Sequence, residues 1–211
     1  MTFFPVILLL LAALGVAWGG SFWIDRLYDR NRPILTFPDA AASRSRWRKP
    51  LLALGFFGCG FRLLQMTSGL PLVLMLVFTA FLLWMTATDF EQYCLFDAMM
   101  LPFALGALVM LARYPDMLVS HLLAGLAGGV VFLAVGLLSR GALGGGDIKL
   151  LAALGLWMGP RLVFVAAAGT VLGGAAALVL LLTGQKSRKS AFAYGPYFTL
   201  TALALMLVRG L

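Results

Sequence analysis

The sequence predicts an all-α protein, a polytopic bundle of about eight transmembrane helices forming a single integral membrane domain over residues 1–211. Three observations carry that reading. First, 62% of the 211 residues are apolar and only 11% are charged, with a mean hydropathy of +0.99. A soluble domain is nearer half apolar and a quarter charged. Second, the apolar residues fall into eight runs separated by short polar gaps. Third, the basic residues collect in alternate gaps, as cytoplasmic loops do under the positive-inside rule. Together these exclude a disordered chain, a secreted disulfide scaffold and an ordinary soluble enzyme.

The first run, 3–20, lacks a basic leading region and is long for a signal peptide, so it reads as an uncleaved transmembrane helix. The segment 21–50 reads as a basic polar loop, with Arg26, Arg30, Arg32, Arg44, Arg46, Arg48 and Lys49, interrupted by Pro33, Pro38 and Pro50. Further runs occupy 51–66, 71–88, 99–112, 117–138, 148–159, 162–183 and 195–211. Several fall short of the roughly 20 residues of an upright span, which implies tilt or partial burial. The run at 148–159 is the weakest and ends in Gly159-Pro160; without it the count is seven.

With 21–50 in the cytoplasm, eight alternating spans put 89–98, 139–149 and 184–194 on the same side. That side then holds twelve of the sixteen Lys and Arg residues, among them Arg140, Lys186, Arg188 and Lys189. The net charge of +8 is therefore a topology signal and gives no reason to expect nucleic acid. The seven bases of 21–50 would attract anionic lipid by about 1 kcal/mol each near the surface. The pairs Gly15/Gly19, Gly125/Gly129 and Gly169/Gly173 have the spacing that lets helices approach closely in lipid.

Eight acidic residues are few enough to take singly. Asp25, Asp29 and Asp39 lie in the basic loop and read as charge balance; Asp116 lies in a turn on the other side. Asp89, Glu91, Asp97 and Asp147 all fall at the cytoplasmic face. Asp89 ends a long apolar run, where an ionisable group is a functional candidate or a helix-end charge reaching for water. Asp147 follows Gly144-Gly145-Gly146, and irregular backbone at membrane depth belongs in protein or beside a wet cavity; a flexible turn with Asp147 capping the next helix is the plainer alternative. Two carboxylates sharing one site do not both ionise readily, so such a pair can activate a water and protonate a leaving amine. That chemistry needs no metal. The lone His121 reads as a packing histidine, too few for a familiar zinc site. No Walker A, HExxH or GxSxG motif is present.

Gly144-Gly145-Gly146-Asp147-Ile148-Lys149-Leu150-Leu151-Ala152-Ala153-Leu154-Gly155 resembles the GxGD-x-KLLAxLG segment of the type IV prepilin peptidases. Thr86-Ala87-Thr88-Asp89, with Asp97 eight residues on and then Leu101-Pro102, resembles their first-aspartate segment. Gly20-Ser21-Phe22 followed by Arg26 resembles the stretch after their first helix. The likeness covers most of the chain in the right order, with the second aspartate 58 residues after the first. It implies an aspartic endopeptidase of the bacterial inner membrane that removes the leader of prepilins or secretion pseudopilins at the cytoplasmic face, with Asp89 and Asp147 as the catalytic pair.

The departures are specific. Many members carry two CxxC pairs in the first cytoplasmic loop; 21–50 contains no cysteine, as in a reduced member of the family. Members that also methylate the new N-terminus use S-adenosylmethionine, and no residue here points to that cofactor. Gly144, Gly145 and Gly146 would let backbone lie close to substrate. Lys149 would steady Asp147 or reach lipid headgroups, and Glu91 and Asp97 would meet the bases of a leader. Two readings compete with the peptidase: a proton- or cation-coupled transporter, since aspartates beside broken helices also mark ion paths, and a non-catalytic assembly factor for a pilus or secretion machine.

Overall fold

The computed structural model describes residues 3–138, 143–185 and 192–210. Arg140, Lys186, Arg188 and Lys189 of the expected topology lie outside them. Each of the eight apolar runs becomes an α-helix. In chain order these and one short extra helix are α1 (Phe3–Arg30), α2 (Ala41–Arg44), α3 (Arg48–Met66), α4 (Gly69–Gln92), α5 (Asp97–Arg113), α6 (Leu118–Leu138), α7 (Gly145–Met158), α8 (Leu162–Leu182) and α9 (Gly195–Arg209). No strand occurs among the described residues. Length and composition mark four segments as able to cross a membrane: Phe3–Arg30, Gly69–Gln92, Pro115–Leu138 and Gly145–Leu182. The apolar runs alone gave eight. The difference arises because α3 begins with Arg48 and Lys49, α5 and α9 are shorter, and α7 and α8 join through a single turn over Gly159–Arg161.

One boundary differs from the sequence expectation. The segment 21–50 is not one polar loop, because α1 continues to Arg30. Ser21, Ile24, Leu27 and Tyr28 are buried along its extension, a spacing of three and four residues that gives one helical face. The charged residues of 21–30 occupy the other faces, which made the stretch look like a loop by composition.

The inner layer is α4, α5, α7 and α9. Phe78 of α4, Phe103 of α5 and Trp157 of α7 meet ring to ring at centroid distances of 5.2–5.6 Å. The Trp157 indole N–H donates to the Phe103 carbonyl at 2.7 Å, satisfying the one polar atom of a fully buried ring. On one flank α1 packs along α3, and α3 along α4; on the other α6 lies along α7 and α8 along α9. The α6–α7 approach is the closest kind: a methyl on Gly155 would stand 2.6 Å from the Gly125 backbone. Gly125 and the Gly169/Gly173 pair thus serve close packing, whereas Gly15 and Gly19 face open space.

One end of the bundle is tied by polar groups. Arg48, at the start of α3, is buried. Its guanidinium pairs with Glu91 of α4 at 2.9 Å and with Asp25 of α1, and it donates to the Ser21 hydroxyl. The Tyr28 hydroxyl donates to the same Glu91 oxygen at 2.8 Å. Asp25 thus balances charge as expected, remaining exposed to solvent while pairing with the buried Arg48. The segment before α3 crosses the end of α4: Phe37 exchanges two hydrogen bonds with the Gln92 amide, at 2.9 and 3.1 Å. Arg44 donates to the Phe90 and Glu91 carbonyls, satisfying acceptors that a helix C-terminus leaves open, and lies 4.1 Å over the Phe37 ring. At the opposite end His121 packs, as expected, against a helix, with Nδ1 2.9 Å from the Leu156 carbonyl.

Removing one member of a buried ion pair leaves its partner uncompensated. Arg48→Ala is expected to cost about 3–5 kcal/mol of stability, read as a large fall in the thermal unfolding midpoint in detergent. Lys49→Ala, the exposed neighbour, serves as the comparison and should change it little.

Candidate active site

Asp89 lies in the last turn of α4 and Asp147 in the first turn of α7. The three glycines before Asp147 are not a flexible turn. Gly144 is the extended N-cap of α7, with Gly145 and Gly146 as its first helical residues. The Asp147 amide donates to the Gly144 carbonyl at 3.0 Å, and the Asp147 carboxylate is turned back toward the Gly144 amide. An acid at the third helical position turned back to the N-cap amide is one half of a capping box, and the helix dipole also favours negative charge there. The capping reading and the functional reading of Asp147 are therefore compatible.

Asp89 is held from a different element. The Gly195 amide, at the first turn of α9, faces its carboxylate. The two carboxylates lie close enough to interact electrostatically. Both residues are buried, at 5% and 9% exposure, yet Asp89 Oδ2 and Asp147 Oδ1 have no hydrogen-bonding partner among the protein groups. Buried polar atoms without partners are few in native proteins, and each calls for a reason. Two on neighbouring buried acids form a site ready to take up a polar reactant.

The glycines around the pair are set by what a side chain would strike. A methyl on Gly144 would stand 3.2 Å from Asp147 Oδ2, and one on Gly146 would stand 2.9 Å from Leu95. Gly145, between them, faces open space. Leu95, in the turn between α4 and α5, also stands 3.3 Å from a methyl built on Gly195. It thus touches the glycines beside both aspartates.

The other candidate residues are placed elsewhere. Glu91, two residues after Asp89, is turned about 200° around α4 and is enclosed by Arg48 and Tyr28. It is not available to greet a basic peptide; that expectation is corrected by its burial. Lys149 does not steady Asp147. It pairs with Asp97 at 2.6 Å, and both side chains are largely exposed. That pair stands at one end of an apolar groove of about 1050 Å³ between α5, α6 and α7, floored by Gly125, Gly129 and Ala152. Among the described residues no group of three His, Cys, Asp or Glu is arranged to hold a metal ion. Sequence reasoning missed three residues: Arg48 and Tyr28, hidden in a segment read as solvated, and Gly195, whose Gly-Pro sequence signalled only a helix start.

Residues 76–208 match the profile of the type IV leader peptidase family. The chain is 33% identical over 174 residues to the prepilin leader peptidase/N-methyltransferase of Dickeya chrysanthemi, an alignment that covers 76% of this chain and 60% of that protein. No solved structure gives a significant match.

The glycine geometry makes a graded expectation. Gly146→Ala must displace Leu95 and is expected to cost about 1–3 kcal/mol, the usual range for overpacking. Gly145→Ala should hold or raise stability, since alanine is the better helix former by up to about 1 kcal/mol. Lys149→Ala removes only an exposed ion pair, worth up to about 1 kcal/mol. Thermal unfolding of the three variants side by side checks the order.

Proposed function

The chain belongs to the type IV leader peptidase family, and from that premise we propose that it is a membrane aspartic endopeptidase cleaving the leader of prepilins or prepilin-like secretion proteins. The observation that carries the reading is the pair Asp89 and Asp147, 58 residues apart in the chain and brought close enough to interact, each buried and each with one carboxylate oxygen free of protein partners. A water between the free oxygens gives its proton to whichever carboxylate is ionised and attacks the scissile carbonyl. The protonated partner donates a hydrogen bond to the oxygen on which negative charge develops. The tetrahedral intermediate then collapses, and the proton passes to the leaving amine. The pair titrates as a unit, so the two roles belong to the dyad rather than to one fixed residue.

In this proposal the polar end of the bundle faces the cytoplasm of a bacterial inner membrane, and the eight long helices each cross or enter the bilayer. Support comes from two sides. Alternating passage accounts for the gathering at one end of 21–50, 89–98, the start of α7 and the start of α9, and among the described residues that end carries eight of the twelve Lys and Arg, the bias the positive-inside rule describes. A leader bearing Lys or Arg lies at that face, with its apolar segment in the membrane. We extend only the peptidase chemistry to this chain. N-methyltransferase activity is named for the Dickeya protein, of which this chain covers 60%.

Asp89→Asn and Asp147→Asn are each expected to lower leader cleavage of a co-expressed prepilin by at least roughly 10²–10⁴, the range supplied by a positioned acid or base, with the protein still accumulating in the membrane. Full cleavage by either variant overturns the dyad. Cleavage by purified protein in detergent, without an ion gradient or partner, separates an enzyme from a transporter or an assembly factor.

A further inference from the structure

Gly195 is buried at the first turn of α9, against the Asp89 carboxylate. A methyl at this position would stand 2.7 Å from Asp89 Oδ2 and 3.2 Å from Asp89 Cγ. The nearer of these distances is one that real side chains do not adopt. Oδ2 is the Asp89 oxygen that has no protein partner, so the space a side chain would take is the space around the free oxygen of the dyad.

The surroundings hold α9 in this register. One turn away from the aspartate, the Thr86 and Thr199 hydroxyls share a hydrogen bond at 2.6 Å, and Thr199 donates to the Gly195 carbonyl at 3.1 Å. Thr86 stands three residues before Asp89, and Thr199 four after Gly195. The Thr86–Thr199 rung therefore ties α4 to α9 one turn from Asp89. Behind α9, Gly169 and Gly173 of α8 leave room for Phe198 and Tyr194, whose rings lie where methyls on those glycines would be. The small-residue pair in α8 thereby seats the helix whose first turn reaches the site.

We propose that Gly195 is a positioning residue for Asp89: its missing side chain lets the start of α9 pack against the carboxylate while keeping Oδ2 open to the reactant. The role rests on the peptidase reading above. It makes α9 a third contributor to the site, beside the two helices that carry the aspartates.

The test is a pair of readouts on the full chain in detergent. Gly195→Ala is expected to lower kcat for prepilin cleavage on the order of a hundred-fold, the usual consequence of displacing a catalytic group by about 1 Å, with KM essentially unchanged. Its unfolding midpoint should also fall, and that fall should largely vanish in an Asp89→Ala background, because the atoms it strikes are gone. Such coupling between neighbours is what a double-mutant cycle isolates. If Gly195→Ala alone does not fold, the Asp89→Ala/Gly195→Ala protein should. Gly174→Ala, where a methyl meets nothing within 4 Å, is the control for a helical glycine. Wild-type turnover by Gly195→Ala, or equal stability penalties in both backgrounds, overturns the role of Gly195 while leaving the dyad standing. Cleavage retained by Asp89→Asn overturns the dyad, and the role of Gly195 with it.

Discussion

The guanidinium of Arg48 is enclosed by Glu91, Asp25 and Ser21, and the position of the candidate site depends on that enclosure. A buried charge is tolerated only with a partner and with its remaining hydrogen bonds made. Arg48 meets the condition by drawing α1, α3 and α4 together at one end of the bundle. Glu91 is two residues beyond Asp89, so clamping one fixes the end of the helix that carries the other. The Gln92–Phe37 exchange and the Arg44 contacts to the Phe90 and Glu91 carbonyls hold the same turn from above.

The contrast between Glu91 and Asp89 follows from the helix rather than from the residue types. The face bearing Glu91 meets a cation and a phenol. The face bearing Asp89 meets α9 and Asp147, where each acid is buried and retains one oxygen without a protein partner. Fully satisfied polar groups make the scaffold rigid, and incompletely satisfied ones mark where chemistry can take place. Both kinds occur within one turn of α4. The rigidity of the first is what holds the second in place.

Much of this was legible in the sequence, for identifiable reasons. Helix positions followed from apolar runs, because a backbone in lipid must satisfy its own hydrogen bonds and a helix does so within one segment. Asp89 and Asp147 stood out because charge is scarce in this chain and both sat at the same predicted face. The legible part stopped where partners come from distant segments. The continuation of α1 to Arg30 was hidden because composition was weighed over a face that periodicity would have divided. From sequence Lys149 could steady Asp147 or reach lipid headgroups, whereas α7 turns it outward to Asp97.

By itself, then, the sequence determined that the protein is a helical membrane bundle, which end of it carries the polar segments, and which two acids deserved attention there. These are properties of composition and local periodicity, and each can be read within one helix. Only the tertiary structure decided that Glu91 is bound to Arg48 and Tyr28, that Asp97 and Lys149 pair away from the dyad, and that Gly195 stands against Asp89. Those outcomes depend on which faces of non-adjacent helices are brought together by close packing, and the partners lie 43 residues apart for Arg48 and Glu91 and 52 for Lys149 and Asp97. A single chain read end to end carries no local signal for such meetings.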